Sequence, residues 1–154
     1  VKETGIVSYR HVCAKLAERV RHRNGQVVNG AKVIGFMKSN SEITVQTTRK
    51  DYTASHVVNC AGLYSDRIAA LSGRRPSVQI VPFRGEYYEL RPEAHHLVRN
   101  LIYPVPDPKF PFLGVHFPRM IDGRVECGPN AVLAFAREGY TKGTINLADL
   151  ARSL

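Results

Sequence analysis

HVVNCAGLYSDRIAALSG, residues 56–73, sets an apolar run before a small-residue turn and then a helical pattern. Val57-Val58-Asn59-Cys60 predicts a buried strand, Ala61-Gly62 a turn, and Ser65 through Ile68 and Leu71 to Gly73 a short helix. Open α/β sheets bind ligands at such a place, outside the carboxyl end of a strand. A glycine there lets a backbone or a ligand approach closely. On this stretch alone, an ordinary strand-to-helix turn is the commoner reading.

Upstream, Ser8 is a good N-cap for a helix from about Tyr9 to Asn24, with Val12, Leu16 and Val20 at four-residue spacing and Gly25 as the stop. Short strands are expected at Gln26–Asn29, Lys32–Met37, Ile43–Thr48 and His56–Cys60. Ser39-Asn40-Ser41 and Arg49-Lys50-Asp51 read as hairpin turns between them. Downstream the composition shifts at Arg74-Arg75-Pro76. Strands are expected at Val78–Val81, Gly85–Leu90, Leu97–Tyr103, Leu113–Phe117 and Arg124–Cys127, punctuated by prolines, and a helical tail at Asn146–Leu154. The fold class is therefore α/β and α+β, in two domains. Residues 1–75 are expected to hold a helix, a β-meander, a strand and a second helix, and 76–154 a mostly antiparallel sheet with a C-terminal helix.

The 154 residues carry 22 Lys and Arg against 13 Asp and Glu, a formal charge of +9. That sign suits an anionic ligand or surface, but the charges are not blocked. Arg19-Val20-Arg21-His22-Arg23 reads as the solvated end of a helix, where cations complement the dipole. No motif of a nucleic-acid binder accompanies it, so no nucleic-acid partner is expected. No run approaches the ~18 apolar residues of a membrane span, and no signal peptide is seen. The chain opens on Val1 in what reads as mid-structure and is taken as part of a longer protein. Cys13, Cys60 and Cys127 are far apart in apolar contexts and predict buried, reduced thiols. His95-His96 reads as a surface turn, and no metal site is expected.

A second stretch, PFLGVHFPRMIDGRVECGPNA (residues 111–131), places an imidazole, a guanidinium and an amide near the ends of neighbouring strands. Read by themselves, His116 is a core histidine paired to a carbonyl, Arg119 a strand-end charge and Asn130 a turn former after Gly128-Pro129. Tyr88 and Tyr103 are half-buried packing residues with wet tips.

Five strings together change that weighting. TGIVSYRHVCAKLAERV, AKVIGF and TTRKDYTASHVVNCAGLYSDRIA resemble the middle of the flavin-binding domain of the D-amino-acid-oxidase-like superfamily. IVPFRGEYYEL and LIYPVPDPKFPFLGVHFPRMIDGRVECGPNAVLAFAREGY closely resemble L-2-hydroxyglutarate oxidases and dehydrogenases. The resemblance covers nearly the whole chain and implies a partial FAD-binding, Rossmann-like domain over residues 1–75, a substrate-binding domain over 76–154, FAD as cofactor and a small dicarboxylate as substrate. It implies oxygen or a membrane quinone as electron acceptor and a cytoplasmic location, with peripheral contact at the inner membrane. It makes His116 the base for the substrate hydroxyl. Arg84, Arg119, Tyr103 and Asn130 become substrate contacts, arginine because its fork matches a carboxylate. Val33, Ala61 and Gly62 become main-chain contacts to the flavin nucleotide. The G-x-G-x-x-G fingerprint is absent, so these 154 residues alone are expected to be inactive and prone to self-association. Pro118 also departs from the resembled pattern, which carries a small hydroxyl residue there. The alternatives are a glycerol-3-phosphate or amino-acid oxidase of the same superfamily, or a non-catalytic basic binding module.

Overall fold

The computed structural model describes residues 4–74, 76–109 and 114–153. Helix α1 (Tyr9–His22) starts where expected, with the Ser8 Oγ accepting the His11 N–H at 3.4 Å. Arg19, Arg21 and His22 occupy its last turn. It stops before Gly25, because Asn24 takes the left-handed conformation at φ 59°, the other residue that tolerates it.

The next elements form a three-stranded antiparallel sheet in the order β1 (Val33–Ser39), β2 (Glu42–Thr47), β3 (Tyr52–Ala54). Ser39 pairs with Glu42, so Asn40 and Ser41 alone make the first turn, with Asn40 at φ 21°. Positive φ at the first loop residue suits the twist of a tight hairpin. The Thr47 hydroxyl shapes the second turn, accepting the N–H groups of Arg49 and Lys50 at 3.1 and 3.2 Å. Two expected strands are not there. Residues 26–29 and 56–60 make no ladder, while β3 lies where no strand was expected. A strand exists only through a partner, and the extended run 56–60 has none among the described residues; Val58 is 83% exposed. Helix α2 (Ser65–Leu71) follows a 3₁₀ turn at Gly62–Tyr64 and packs against β1. Asp66 accepts the N–H groups of Arg67 at 2.8 Å and Ile80 at 3.1 Å.

Beyond Val81 the chain builds a second ladder, β4 (Phe83–Glu89) against β5 (Glu126–Leu133), antiparallel. Single bridges extend it: His116 with Gly128, Arg119 with Val125, and Ile102 with Phe117. The first two share one register and define a hairpin from 116 to 128. Pro118 costs that hairpin a bond: the Glu126 N–H reaches the Pro118 carbonyl at 3.1 Å, and proline has no N–H to return. Val78–Val81 is not a strand. Leu97–Tyr103 is reduced to the bridge at Ile102, because Pro92 opens a 3₁₀ run through Leu97. Leu113, the first residue of another expected strand, lies outside the described residues. Helix α3 (Leu147–Ser153) closes the chain, with the Asn146 Oδ1 accepting the Asp149 N–H at 3.1 Å.

Two compact units result: Val1–Arg23 with Pro82–Leu154, and Asn24–Val81. The boundary expected at 75/76 lies near the second break. The first helix, however, groups with the later segment rather than with the meander. A groove lined by Val7, Val12 and Leu16 of that end of the chain also takes Ile121. Every buried described residue lies between Pro82 and Gly139, around Val98, Val125, Ala134 and Ala136. The meander unit buries none of its described residues. The three cysteines are free, as expected, but the expected burial is not met: Cys13 and Cys60 are exposed and Cys127 is partly so. No helix among the described residues is long and apolar enough to cross a membrane.

Candidate active site

The site is built on the β4–β5 ladder. Register slips between Glu86 and Tyr88, whose partners are Asn130 and Cys127. Two residues of β5, Gly128 and Pro129, thus face Tyr87 alone: a bulge, which bends the strand and re-aims a side chain. Proline within a sheet is tolerated at such a point. Gly-Pro-Asn is therefore strand rather than turn, and Asn130 stands within β5, not at its end. The Tyr87 ring lies on the bare backbone of Gly128, where a Cβ would come within 2.7 Å of the ring's Cδ1.

His116 is 5% exposed, and its peptide exchanges hydrogen bonds with Gly128 at 2.7 and 3.1 Å. The Tyr103 ring stacks on the imidazole with centroids 4.5 Å apart and 17° between planes. Tyr87 meets it edge-on at 5.9 Å. The Nδ1 lies 2.9 Å from the Gly114 carbonyl. A carbonyl only accepts, so Nδ1 carries the proton, and the Nε2 of the neutral ring is left with its lone pair. Partial burial pushes the Tyr87 phenol above its ordinary value, and the Glu126 carboxylate and Tyr103 act in the same direction.

Both arginines singled out in the sequence are engaged. The Arg119 Nη1 donates to the Val98 carbonyl at 2.9 Å and to that of His95 at 3.4 Å. It is neither a solvated strand-end charge nor a free fork. Arg84 donates through Nε and Nη2 to the Glu86 Oε1 at 3.2 and 2.8 Å. Its Nη1 donates to the carbonyls of Gly139 and Thr141 at 3.0 and 3.2 Å. That grip ties the loop after Ala136 to β4. Between them lies a pocket of about 430 Å³, bounded by Arg84, Glu86, Tyr87, Asn130, Tyr140 and Lys142 among others. That is ample for a ligand of ten or so heavy atoms. Tyr87 joins pocket and imidazole, since it lines the one and touches the other. Arg84, Tyr88 and Asn130 line this pocket; His116, Tyr103 and Arg119 do not.

The Arg84 hydrogen bond holds the Glu86 carboxyl below its ordinary 4.5, with Lys142 adding to the effect. A depressed carboxylate contributes stability above its unfolded value, and that contribution is lost as pH falls through the folded one. Glu86→Gln should therefore be less stable near neutrality and lose less of its remaining stability on acidification below about pH 4.5. Thermal unfolding against pH checks this; parallel curves for the two proteins would refute it.

In the meander unit, Val33 pairs with Thr47 in the β1–β2 ladder. The Ala61 N–H is taken by the Asn59 Oδ1 at 3.1 Å, and Asn59 in turn donates to the Ser65 carbonyl at 2.8 Å. Gly62 sits at φ 53°, with no atom within 4 Å of where a Cβ would stand. That side of the residue is open to close approach, while its carbonyl accepts the Ser65 N–H. Among the described residues no group of three or more His, Cys, Asp or Glu could hold a metal ion.

Sequence reading missed Tyr87, Glu86 and Lys142. Tyr87 had one signal: in Gly85-Glu86-Tyr87 it shares a strand face with a glycine, leaving room for its ring. Tyr88, read from the sequence as half-buried packing, is 74% exposed.

Residues 1–154 match the model of a family described as FAD dependent oxidoreductase. The L-2-hydroxyglutarate dehydrogenase of Indibacter alkaliphilus is 51% identical over 155 residues, covering 100% of this chain and 39% of that protein. Its Escherichia coli K12 counterpart is 47% identical over 150 residues, covering 97% and 36%. The human mitochondrial L-2-hydroxyglutarate dehydrogenase is 44% identical over 159 residues, covering 96% and 34%. The chain thus spans little more than a third of the length of these curated relatives.

Proposed function

Since the chain belongs to the FAD-dependent oxidoreductase family, we propose that the full-length protein carrying it oxidises L-2-hydroxyglutarate to 2-oxoglutarate. FAD, when bound, supplies the two-electron acceptor for the hydride leaving C2. The main chain around Gly62, with Ala61 and Val33, would hold the cofactor. His116 takes the proton of the 2-hydroxyl at Nε2. Its fixed tautomer supports this reading most directly: Nδ1–H is spent on the Gly114 carbonyl. Tyr103 keeps the ring plane and Tyr87 its edge, so the lone pair keeps one direction. Asn130 faces the substrate from the pocket, and Arg84 holds the pocket's wall in place. The Arg119 Nη1 holds the 95–98 segment, and a carboxylate contact would use its Nε and Nη2.

Resemblance over the whole chain to dehydrogenases of this one substrate carries the proposal. Its test is a substrate panel on the full-length protein under anaerobic conditions, following flavin absorbance. L-2-hydroxyglutarate should bleach the flavin, and its D-enantiomer, glycerol 3-phosphate and amino acids should not. Bleaching by one of the others instead would give the chain to another oxidase of the superfamily. Reoxidation by oxygen or only by a quinone then identifies the acceptor. Fractionation of cells tests a cytoplasmic place with peripheral contact at the inner membrane.

A further inference from the structure

The pocket beside Tyr87 has an uneven charge balance. Two cations, Arg84 and Lys142, face one carboxylate, Glu86. Four of the five Arg84 N–H groups are taken: Glu86 accepts from Nε and Nη2, and the Gly139 and Thr141 carbonyls accept from Nη1. Lys142 is not so engaged. Its Nζ lies 3.9 Å from the Glu86 Oε2, the outer limit of an ion pair, and its side chain is 84% exposed. An exposed contact at that distance contributes little and is easily exchanged. The backbone carrying Lys142 is nonetheless held firmly, because Arg84 grips the carbonyls of Gly139 and Thr141. The Thr141 and Thr144 hydroxyls brace the loop at 2.6 Å. Arg84 is thus a positioning residue, whose forked bonds to loop and strand set where Lys142 stands.

We propose that Lys142 is the specificity residue for the substrate's distal carboxylate, leaving Glu86 to take it while Arg84 holds the loop in place. The inference rests on the dicarboxylate reading above and deepens it. One uncommitted cation accounts for one carboxylate, so the pocket should bind the end remote from the 2-hydroxyl. Tyr87 lines the pocket and meets the His116 ring edge-on at 5.9 Å, so a single residue stands between the pocket and the base. Ammonium rather than guanidinium suits the task, being a point charge on a flexible stem that can change partners.

The test uses the full-length protein, with glutarate as a dicarboxylate lacking the hydroxyl. Calorimetric titration should show Lys142→Met weakening glutarate about tenfold or more, as loss of a charged hydrogen bond does, and Lys142→Arg restoring part of it. In turnover, the preference for L-2-hydroxyglutarate over L-2-hydroxypentanoate should fall toward one in Lys142→Met. Unchanged glutarate affinity and unchanged preference would overturn the proposal with the oxidase reading intact. Wild-type protein that oxidises neither acid would sink the oxidase reading, while a lysine-dependent glutarate affinity would still sustain this site. Wild-type protein that binds no glutarate would overturn it.

Discussion

Replacing His116 by glutamine should slow flavin reduction by L-2-hydroxyglutarate about 10²–10⁴-fold, the range for loss of a positioned general base. Glutamine keeps a polar group in a site only 5% exposed, and its amide N–H can still meet the Gly114 carbonyl. What it lacks is a lone pair that accepts and holds a proton. Substrate affinity should change far less than rate, since the carboxylates dominate binding. Anaerobic stopped-flow reduction of both proteins separates these quantities. Equal reduction rates would return His116 to a packing role between Tyr103 and Tyr87. A loss of affinity with an unchanged limiting rate would make it a binding residue.

Gly128→Ala should cost about 1–3 kcal/mol of stability, as overpacking does, and should lower activity with it. The added Cβ would stand 2.7 Å from the Tyr87 Cδ1, 3.0 Å from its Cγ and 2.9 Å from the Glu86 carbonyl oxygen. The first two atoms lie near the root of the ring, and the third is backbone. No rotamer change relieves all three, so β4 and β5 must part at the bulge. His116 pairs with Gly128 on its other edge, so the disturbance passes to the imidazole. Denaturant unfolding and flavin reduction of the same variant test the two halves. Wild-type stability would mean the ladder yields at no cost. Lost stability with native reduction rates would uncouple Tyr87 from the base.

The two variants probe features of unequal legibility. The helix after Ser8 and the hairpin at Asn40 could be read because their causes are local: a cap, a four-residue apolar spacing, a residue that accepts positive φ. The run Val57-Val58-Asn59-Cys60 misled because its apolar pattern describes a strand that needs a partner, and none of the described residues pairs with it. Gly128-Pro129-Asn130 misled in the opposite sense, as turn residues absorbed into β5 at a bulge. Tyr87 was passed over for Tyr88, since alternation names two faces without saying which one is covered.

By itself the sequence determined the family, through long rare strings such as PVPDPKFPFLGVHF, and with it the cofactor class. It also determined the elements whose causes lie within a few residues. It singled out His116, Arg84, Arg119 and Asn130 by residue type. Which of their donors are already engaged was settled by folding, not by residue type. Arg84 meets carbonyls 55 and 57 positions away, and Arg119 meets them 21 and 24 positions away. An arginine's availability depends on the acceptors folding brings to it, and a buried carbonyl left without a donor costs about 1–3 kcal/mol. The chain met that need first, leaving Lys142 as the uncommitted cation among the described residues lining the pocket.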